Sequence, residues 1–251
     1  MSSLEARRVL VTRPEDGAVA LVERLRTAGA IPILAPVIEI APARSAALTR
    51  ALRDLEAGRF AWIVLTSRST VGMLRQRVSS PADVRAHVAT IGEGTSEAFR
   101  RWARRPADLT PATFTISALA RAFPRGEGRV LCARADIAPA GLEDALAAKG
   151  WSPERVDAYR TRMATSLPVA ASRALREGRV DAVTFTSAST VRGFVGAIDV
   201  VRGNPKVVCI GPVTAREARE HGMRVSAVAR PHTVDGLVDA LERVFTPRSP
   251  R

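Results

Sequence analysis

An internal repeat is the sequence feature that most constrains the fold of this 251-residue chain. The run Val130–Arg134 matches Val9–Arg13 at an offset of 121 residues (130 minus 9), and Thr233 matches Thr115 at an offset of 118 (233 minus 115). The register therefore slips by only three residues (121 minus 118) over a whole half of the chain. A register kept over that length indicates a duplicated structural unit.

Short apolar strands alternate with helical patterns in each copy. In the first copy, the strand Val9–Val11 precedes a helix stopped by Gly29, and Ile31–Leu34 is the next strand. The remaining predicted elements are a linker strand at 36–42, a helix at about 45–57, a strand at 62–65, a helix ending near residue 77, a strand at 88–91, a helix to about 103 and a helix at about 115–122. Such alternation predicts the α/β class, with parallel sheets covered on both faces.

Two similar domains are expected, because 251 residues suffice for two domains of ordinary size. The repeat places Tyr159 on Ile38, so that the extended segments at about 36–42 and 157–163 occupy equivalent places. Two matched linkers suggest a double crossing between the domains. The duplication alone leaves two arrangements open: each domain is a contiguous half, or the first βαβ unit of one half completes the domain of the other.

The chain is strongly basic, with a formal charge of +13 from 38 basic and 25 acidic residues. Such a surface attracts anions, whether nucleic acid, anionic lipid or a polycarboxylate. The arginines are scattered and aromatic residues make up only 4% of the chain, so base-stacking platforms are scarce. Nucleic acid is therefore the weaker interpretation.

Several classes of protein are disfavoured by what the sequence lacks. Its apolar runs fall far short of the ~20 residues of a membrane span, and no signal-peptide pattern stands at the start, so we expect a cytoplasmic protein. Cys132 and Cys209 lie in apolar, strand-like runs, which is typical of buried free thiols. No nucleotide-binding glycine motif, nucleophile elbow or metal-ligand spacing is present, so the sequence predicts neither a cofactor nor a metal.

Ligands of open parallel sheets bind at the carboxyl ends of the strands, where helix N-termini expose N–H donors. We call the connection from the carboxyl end of a strand to the N-terminus of the next helix a corner. Small hydroxyl or glycine residues stand at the corners in both copies, and the candidates are Thr12, Thr66, Ser67, Gly92, Thr95, Thr186, Ser187, Gly211, Thr214 and Thr233. Such residues can hold carboxylates, but Ser and Thr at a corner can equally be plain N-caps. The occurrence of matching corners in both copies favours a shared cleft, which His232 is also placed to line.

Tyr159 is the only tyrosine of the chain and lies in one of the two linker segments. Its partner in the repeat is Ile38, which has no polar group. A buried tyrosine in a linker serves packing or function, and the residues alone leave both open.

These residues together resemble the uroporphyrinogen-III synthase family, over about Val9 to Val244. The resemblance rests on the order and spacing of the following segments: 9–14, Gly29 with Pro36, Thr66 with Ser67, Ile91 and Gly92 with Thr95, 158–161, 185–187, 210–216, and Thr233 with Gly236 and Leu237. No one of these is diagnostic, but their arrangement is specific.

The resemblance implies two flavodoxin-like domains joined by a two-stranded linker ladder. One domain would comprise residues 1–36 and 165–251 and the other 43–156, with linkers at 37–42 and 157–164. It also implies a lyase of tetrapyrrole biosynthesis that cyclises the octacarboxylate hydroxymethylbilane with inversion of ring D. The expected enzyme is a monomer without a cofactor, and transient contact with hydroxymethylbilane synthase is a further expectation.

The implied active site lies in the interdomain cleft. Tyr159 would assist loss of the substrate hydroxyl, while positions such as Ser67, Thr95, Ser187, Thr214 and Thr233 would hold acetate and propionate groups. Arg13 and Arg134, which end equivalent strands, are added to the expected substrate-binding set together with the other corner residues.

Two features complicate this assignment. The corner after the strand that begins at Val130 reads Arg134-Ala135-Asp136, where family members often have glycine after the arginine, so its contact with substrate is expected to differ. Relatives of the family also occur as sensory domains of transcriptional regulators. A non-catalytic domain that senses a tetrapyrrole or another anion is therefore the alternative function.

Overall fold

A computed structural model of the chain describes residues 2–246, apart from the side chains of Glu15 and Asp16. The strands are β1 (Arg8–Val11), β2 (Ile31–Leu34), β3 (Ile38–Pro42), β4 (Trp62–Leu65), β5 (His87–Thr90), β6 (Arg129–Ala135), β7 (Ser152–Met163), β8 (Ala182–Phe185), β9 (Lys206–Cys209) and β10 (Val225–Val228). The α-helices are α1 (Glu15–Thr27), α2 (Ala46–Glu56), α3 (Arg68–Arg77), α4 (Glu93–Ala103), α5 (Ile116–Ala122), α6 (Leu142–Ala147), α7 (Val169–Arg176), α8 (Ala188–Ala197), α9 (Pro212–Glu220) and α10 (Val234–Phe245). The α/β class is confirmed, and the elements predicted for the first copy are present.

The chain divides into two compact units. Unit 1 is drawn from Met1–Glu39 and Arg162–Arg251, and unit 2 is Ile40–Thr161. Each unit is built around a parallel sheet of its own, as the alternation of strands and helices predicts.

The sheet of unit 1 has the strand order β10-β9-β8-β1-β2, and its neighbouring strands pair in parallel. In order of appearance along the chain this is 2-1-3-4-5, the flavodoxin-like order. Strands β1 and β2 come from the first copy of the repeat and β8 to β10 from the second. The first βαβ unit of the chain therefore completes the sheet of the second copy.

The second sheet has the order β3-β7-β6-β4-β5. Four of its strands, in the order β7-β6-β4-β5, correspond to the four strands β2-β1-β8-β9 of the first sheet. These four strands also pair in parallel. The predicted linker at 157–164 is not a separate segment here, because β7 runs unbroken from Ser152 to Met163 and carries most of it. The other predicted linker supplies β3, which is the neighbour of β7 in this sheet.

Alternation along the central strands separates the two faces of the second sheet. Ile63 and Leu65 of β4 join the buried cluster that includes residues of α2, α3 and α4, whereas Val64 joins the cluster that includes residues of α5 and α6. Helix α2 shows the matching helical period, because its buried residues Leu48, Ala51, Leu52 and Leu55 fall on one face. Apolar patterning therefore fixes which face each element buries.

A fifth strand equivalent to β10 is almost missing from the second sheet. At its place beside β5 there is one isolated parallel bridge between Ala89 and Leu109. The segment around Leu109 nevertheless follows β5, because Asp108 N donates to Val88 O at 2.8 Å and Thr90 N donates to Leu109 O at 2.8 Å. The two copies thus share four strands in full and the fifth only as a trace.

Candidate functional site

Tyr159 and Ser67 form the polar centre of the candidate site in unit 2. The phenol hydroxyl donates a hydrogen bond of 2.9 Å to Ser67 Oγ. Ser67 follows β4 at its carboxyl end and is the N-cap of α3, where its Oγ also accepts the N–H of Thr70 at 3.1 Å. The hydroxyl of Ser67 lies 3.0 Å from Thr70 Oγ1. Since Ser67 Oγ accepts two bonds, its own proton is left for Thr70, and the three hydroxyls form a chain.

A β-bulge turns Tyr159 toward the interior. In the β6–β7 pairing, Arg134 is opposite Asp157 but Ala135 is opposite Tyr159, so β7 contains one extra residue at this point. Ala158 and Tyr159 are consequently both buried, at 0% and 8% exposure. A regular strand would send these two neighbours to opposite faces of the sheet. Bulges commonly re-aim side chains beside active sites, and this one directs the phenol to Ser67.

The environment of Tyr159 keeps its phenol protonated. Burial raises the pKa of Tyr159 above its ordinary value, against the opposing effect of hydrogen bonding with the side chains of Ser67 and Ser69, and the negative charge of Asp136 raises the pKa further. A phenol with a raised pKa remains a hydrogen-bond donor at neutral pH. The pair is therefore suited to present one weakly acidic proton.

Three of the predicted corner residues cap a helix with their side chain, as the plainer interpretation of these corners expected. Ser67, Ser187 and Thr233 begin α3, α8 and α10, and the side chain of each accepts the N–H of the third helical residue. In α8, the backbone N–H of Ser187 donates to Thr190 Oγ1, which completes a capping box. These hydroxyls therefore have a structural role, because they cap the N-termini of helices.

The corners at Gly92 and Gly211 differ from these because glycine has no side chain to cap the helix. They are the N-cap residues of α4 and α9, and neither helix has a side-chain cap. Their first turns therefore keep N–H donors without a side-chain acceptor, which is the arrangement that binds anions. Thr95 and Thr214 lie in these first turns and are 6% and 4% exposed. Helix α4 in unit 2 and helix α9 in unit 1 thus each have an N-terminus that can hold a carboxylate.

The other threonines are placed less directly for binding. Thr12 is 1% exposed and its hydroxyl donates to Thr184 O at 2.7 Å, so it ties β1 to β8. Thr66 and Thr186 follow β4 and β8 and are half-buried. They stand at the carboxyl ends of the strands, as the sequence predicted.

The two arginines of the predicted set are largely buried. Arg13 is 8% exposed, and its guanidinium lies against Gly17 of α1. Arg134 is fully buried, and its Nη1 donates to both carboxylate oxygens of Glu143 at 2.9 Å. Arg134 therefore fixes α6 to the end of β6, and the contacts of its guanidinium described here are internal to the protein.

His232 stands beside one of the open corners. Its Nδ1 lies 2.9 Å from Ala229 O, and its ring would be 3.7 Å from a Cβ added to Gly211. It thus lines the N-terminus of α9 within unit 1, next to the cap residue Thr233.

Comparison with known proteins identifies the family. A model of the family described as uroporphyrinogen-III synthase HemD matches residues 19–239. The chain belongs to the uroporphyrinogen-III synthase family. It is 30% identical to a porphyrin biosynthesis protein HemD of Ruminiclostridium josui over 93% of the chain, although it spans only 48% of that longer relative. It is 29% identical to a uroporphyrinogen-III synthase of Synechococcus elongatus, with 94% of each chain covered, and 31% identical to a putative uroporphyrinogen-III synthase of Methanothermobacter thermautotrophicus, with 92% and 96% covered.

Solved structures with this fold belong to the same family. A mutant uroporphyrinogen III synthase from Thermus thermophilus aligns with a TM-score of 0.67 and 23% identity, covering 96% of this chain and 99% of that one. A uroporphyrinogen-III synthetase from Helicobacter pylori aligns with a TM-score of 0.61 and 15% identity, covering 95% and 99%. At these identities the likeness concerns the fold, which is the two-domain α/β architecture of uroporphyrinogen-III synthases.

Sequence reasoning missed two residues of this uroporphyrinogen-III synthase family member that stand near Tyr159. The carboxylate of Asp136 accepts the backbone N–H of Thr161, two residues beyond Tyr159, and the sequence indicated this residue only as part of the corner Arg134-Ala135-Asp136. Arg68 begins α3 directly after Ser67, and its Nε would lie 3.9 Å from a Cβ added to Gly94 in α4. Burial lowers the pKa of Arg68. Its position beside the predicted corner was the available signal.

Three further properties concern the residues that the structure describes. Among the side chains that the structure describes, no group of three or more His, Cys, Asp or Glu residues is arranged to hold a metal ion. Within 2–246, no helix has both the length and the apolar character needed to cross a membrane. Burial raises the pKa of Cys132 and Cys209 to about 12, so both thiols stay protonated and pack as apolar groups.

Proposed function

We propose that this chain cyclises hydroxymethylbilane to uroporphyrinogen III, with inversion of ring D and loss of water, and that Tyr159 is its catalytic acid. The observation that carries the proposal is the hydrogen bond from the phenol to Ser67 at the carboxyl end of β4. Open parallel sheets bind their ligands at this end. Membership of the family supports the reaction, and the geometry supports the residue.

Loss of the substrate hydroxyl requires only a weak acid. The C–O bond of the substrate hydroxymethyl group breaks as the pyrrole electron pair forms an exocyclic double bond, the phenol proton passes to the departing oxygen, and water leaves. The cation then gives its pyrrole N–H proton to the phenolate of Tyr159, which restores the phenol and yields an azafulvene that closes the ring through a spiro intermediate. The pyrrole nitrogen system drives this departure, so a weak acid in the right place suffices. A buried Tyr159 meets that need, because its raised pKa keeps the proton available at neutral pH.

Ser67 orients the phenol before substrate arrives. Its Oγ is held in place by the N–H of Thr70, so the acceptor for the phenol proton has a fixed position. The substrate hydroxyl takes over this hydrogen bond from Ser67. Such preorganisation lowers the entropy cost of bringing the acid to the leaving group.

The carboxylates of the substrate bind at the glycine-capped helices. In unit 2 the N-terminus of α4 at Gly92 offers backbone donors, and Arg68 adds a positive charge beside it. In unit 1 the N-terminus of α9 at Gly211 also offers backbone donors, with one fewer than α4 because Pro212 has no N–H. Thr95 and Thr214 complete these first turns. The other expected substrate-binding residues, Thr12, Arg13, Thr66, Arg134, Thr186, Ser187 and Thr233, support these corners or border them.

The charge of the protein fits an anionic substrate. A net charge of +13 favours the approach of an octacarboxylate. We also propose that the protein acts as a monomer and that it receives its unstable substrate from hydroxymethylbilane synthase by transient contact. These two points rest on the lability of the substrate and on the family resemblance.

A non-catalytic sensing domain is less well supported. Neither the family model nor the relatives and structures described above is a regulator, and a sensor has no need for a protonated phenol beside the binding corner. A sensor would bind a tetrapyrrole or a bilane saturably and release it unchanged.

The deciding experiment supplies the protein with enzymatically generated hydroxymethylbilane, oxidises the products and separates the porphyrin isomers. The proposal expects the type III isomer in excess over the type I isomer that forms spontaneously. Type I alone, from folded protein, would rule out the synthase.

A further inference from the structure

The carboxylate of Asp136 holds β7 in the region where Tyr159 turns inward. Its Oδ1 accepts the backbone N–H of Thr161 at 2.9 Å, and it also accepts the N–H of Ile137 at 2.9 Å. The backbone N–H of Asp136 donates to Tyr159 O at 3.2 Å. Asp136 therefore hydrogen-bonds to both ends of the Tyr159–Thr161 segment, at the carbonyl of Tyr159 and at the N–H of Thr161.

The hydrogen bond from Thr161 to the Asp136 side chain takes the place of a main-chain bond between strands. Strand β6 ends at Ala135, whereas β7 continues to Met163. The last main-chain bond to β7 described here is the one from Asp136 N to Tyr159 O, and the Asp136 side chain supplies the acceptor for the Thr161 N–H. An unpaired strand N–H would otherwise have to find water or another partner.

The bulge determines which face Tyr159 occupies. Val156 and Ala158 are buried and Asp157 is exposed, as in a regular strand, but Tyr159 is buried and Arg160 exposed. The alternation is thus reversed between Ala158 and Tyr159. If the extra residue of the bulge were lost, the strand period would turn the phenol to the opposite face, away from Ser67.

We propose that Asp136 is a positioning residue that fixes the bulge of β7 and thereby directs the phenol of Tyr159 to Ser67. The inference rests on the proposed function in that Tyr159 is taken as the acid of the reaction. Asp136 itself acts through Tyr159 and through backbone hydrogen bonds.

The test compares Asp136→Ala with Asp136→Asn. The amide oxygen of asparagine can still accept the N–H groups of Thr161 and Ile137, whereas alanine has no acceptor. The alanine variant is expected to lower kcat about ten-fold or more with a small change in KM, because only the placement of the acid is disturbed. The asparagine variant is expected to stay within a few-fold of the parent protein, by the same reasoning.

A matched control removes another carboxylate that accepts a strand N–H. Asp108 Oδ2 accepts Val88 N at 2.8 Å at the start of β5, the opposite end of the strand from the corner at Gly92. Asp108→Ala therefore removes a similar hydrogen bond of the same sheet. It is expected to lower stability without lowering kcat.

A second readout uses the fact that Tyr159 is the only tyrosine of the chain. Protein labelled with carbon-13 at tyrosine Cζ gives one resonance from this ring, and that resonance can be titrated. In Asp136→Ala the resonance should shift and the phenol should titrate at a lower pH, because the ring moves toward solvent. In Asp136→Asn the shift should be smaller, because only the charge is lost.

The outcomes separate the two proposals. If Asp136→Ala leaves both the resonance and kcat unchanged, or lowers kcat equally in a Tyr159→Phe background, the positioning role is wrong. If the parent protein yields only the type I isomer but Asp136→Ala still moves the resonance, the synthase proposal fails. The proposal that Asp136 positions Tyr159 is then still supported. Should Asp136→Ala not fold, Asp136→Glu replaces it, since the carboxylate is then displaced by one methylene, and wild-type kcat in that variant would contradict the inference.

Discussion

The hydroxyl of Tyr159 donates to Ser67 Oγ at 2.9 Å across 92 positions of sequence. The two residues come from opposite copies of the repeat, since Ser67 follows β4 in the first copy and Tyr159 lies in β7 of the second. They meet because β6 lies between β7 and β4 in one sheet. The exchange of βαβ units between the copies is therefore what creates this hydrogen-bonded pair.

Tyr159→Phe is expected to lower kcat by about ten-fold or more, because the variant keeps the ring but loses the proton that assists the leaving group. The free energy of unfolding should fall by only about 1 kcal/mol, the contribution of one hydrogen bond. Steady-state rates and urea unfolding measure the two quantities. Unchanged kcat in a folded variant would remove Tyr159 from the mechanism.

Ser67→Ala is expected to lower both stability and kcat, because Ser67 caps α3 and also accepts the phenol proton. The loss of the cap should cost about 1 kcal/mol. Ser45→Ala is the matched control, since Ser45 caps α2 by the same bond to Leu48 N but has no contact with Tyr159 among the bonds described. Equal rate losses in the two variants would show that Ser67 acts only as a cap.

The pH dependence follows from the raised pKa of Tyr159. An acid must be protonated to act, so its contribution persists below its pKa and is lost as the pH rises through that value. Because burial moves the pKa above the ordinary value of about 10, the phenol should impose no alkaline decline of kcat below about pH 10. Rates measured across neutral and alkaline pH, with circular dichroism to verify folding, test this. A decline centred near pH 8 that disappears in Tyr159→Phe would contradict the protonated, buried phenol.

Removal of Glu143 should destabilise the protein although Glu143 lies outside the candidate site. Arg134 has a side-chain exposure of 1% and is paired with Glu143, so Glu143→Ala leaves a buried cation without its partner. Such a loss typically costs about 3 kcal/mol or more. Thermal unfolding of Glu143→Ala, Arg134→Met and the double variant measures the coupling. If Arg134 mainly serves this pair, the double variant should be less destabilised than the sum of the single ones.

Gly92→Ala should disturb the open N-terminus of α4. A Cβ at this position would lie 2.8 Å from Phe114 Cγ, so the ring or the helix must move. Overpacking of this kind costs about 1–3 kcal/mol, and KM should rise because the carboxylate-binding turn shifts. Gly72→Ala is the control, because a Cβ there meets no atom within 4 Å and alanine favours the interior of α3. A lower melting temperature is therefore expected for Gly92→Ala and a higher one for Gly72→Ala.

Much of the fold could be predicted from the sequence because its determinants are local. Runs such as Trp62–Leu65 and the spacing of Leu48, Leu52 and Leu55 carry their period in the sequence itself. The duplication extended these predictions to the second copy. Which βαβ unit completes which sheet depends on contacts between distant segments, so the repeat left that question open.

The candidate site was predictable only in part, for a similar reason. Chain position placed Ser67 and Gly92 at strand ends, but sequence alone did not separate a self-capped helix from an open one. The bulge at Ala158 depends on the partner strand and on Asp136, which lies outside the strand pattern. Arg134 was included in the expected substrate-binding set because it ends the strand equivalent to that of Arg13, and its burial depends on Glu143, nine positions away.

The segment around Leu109 also covers the outer edge of the second sheet at β5. Exposed sheet edges can pair with strands of other molecules and so promote aggregation. Along the outer edge of β5, Val88 O accepts from Asp108 N and Leu109 N, Val88 N donates to Asp108, and Thr90 N donates to Leu109. These groups are already paired and are not available to a second chain. A few bonds thus cover this part of the edge without a regular fifth strand.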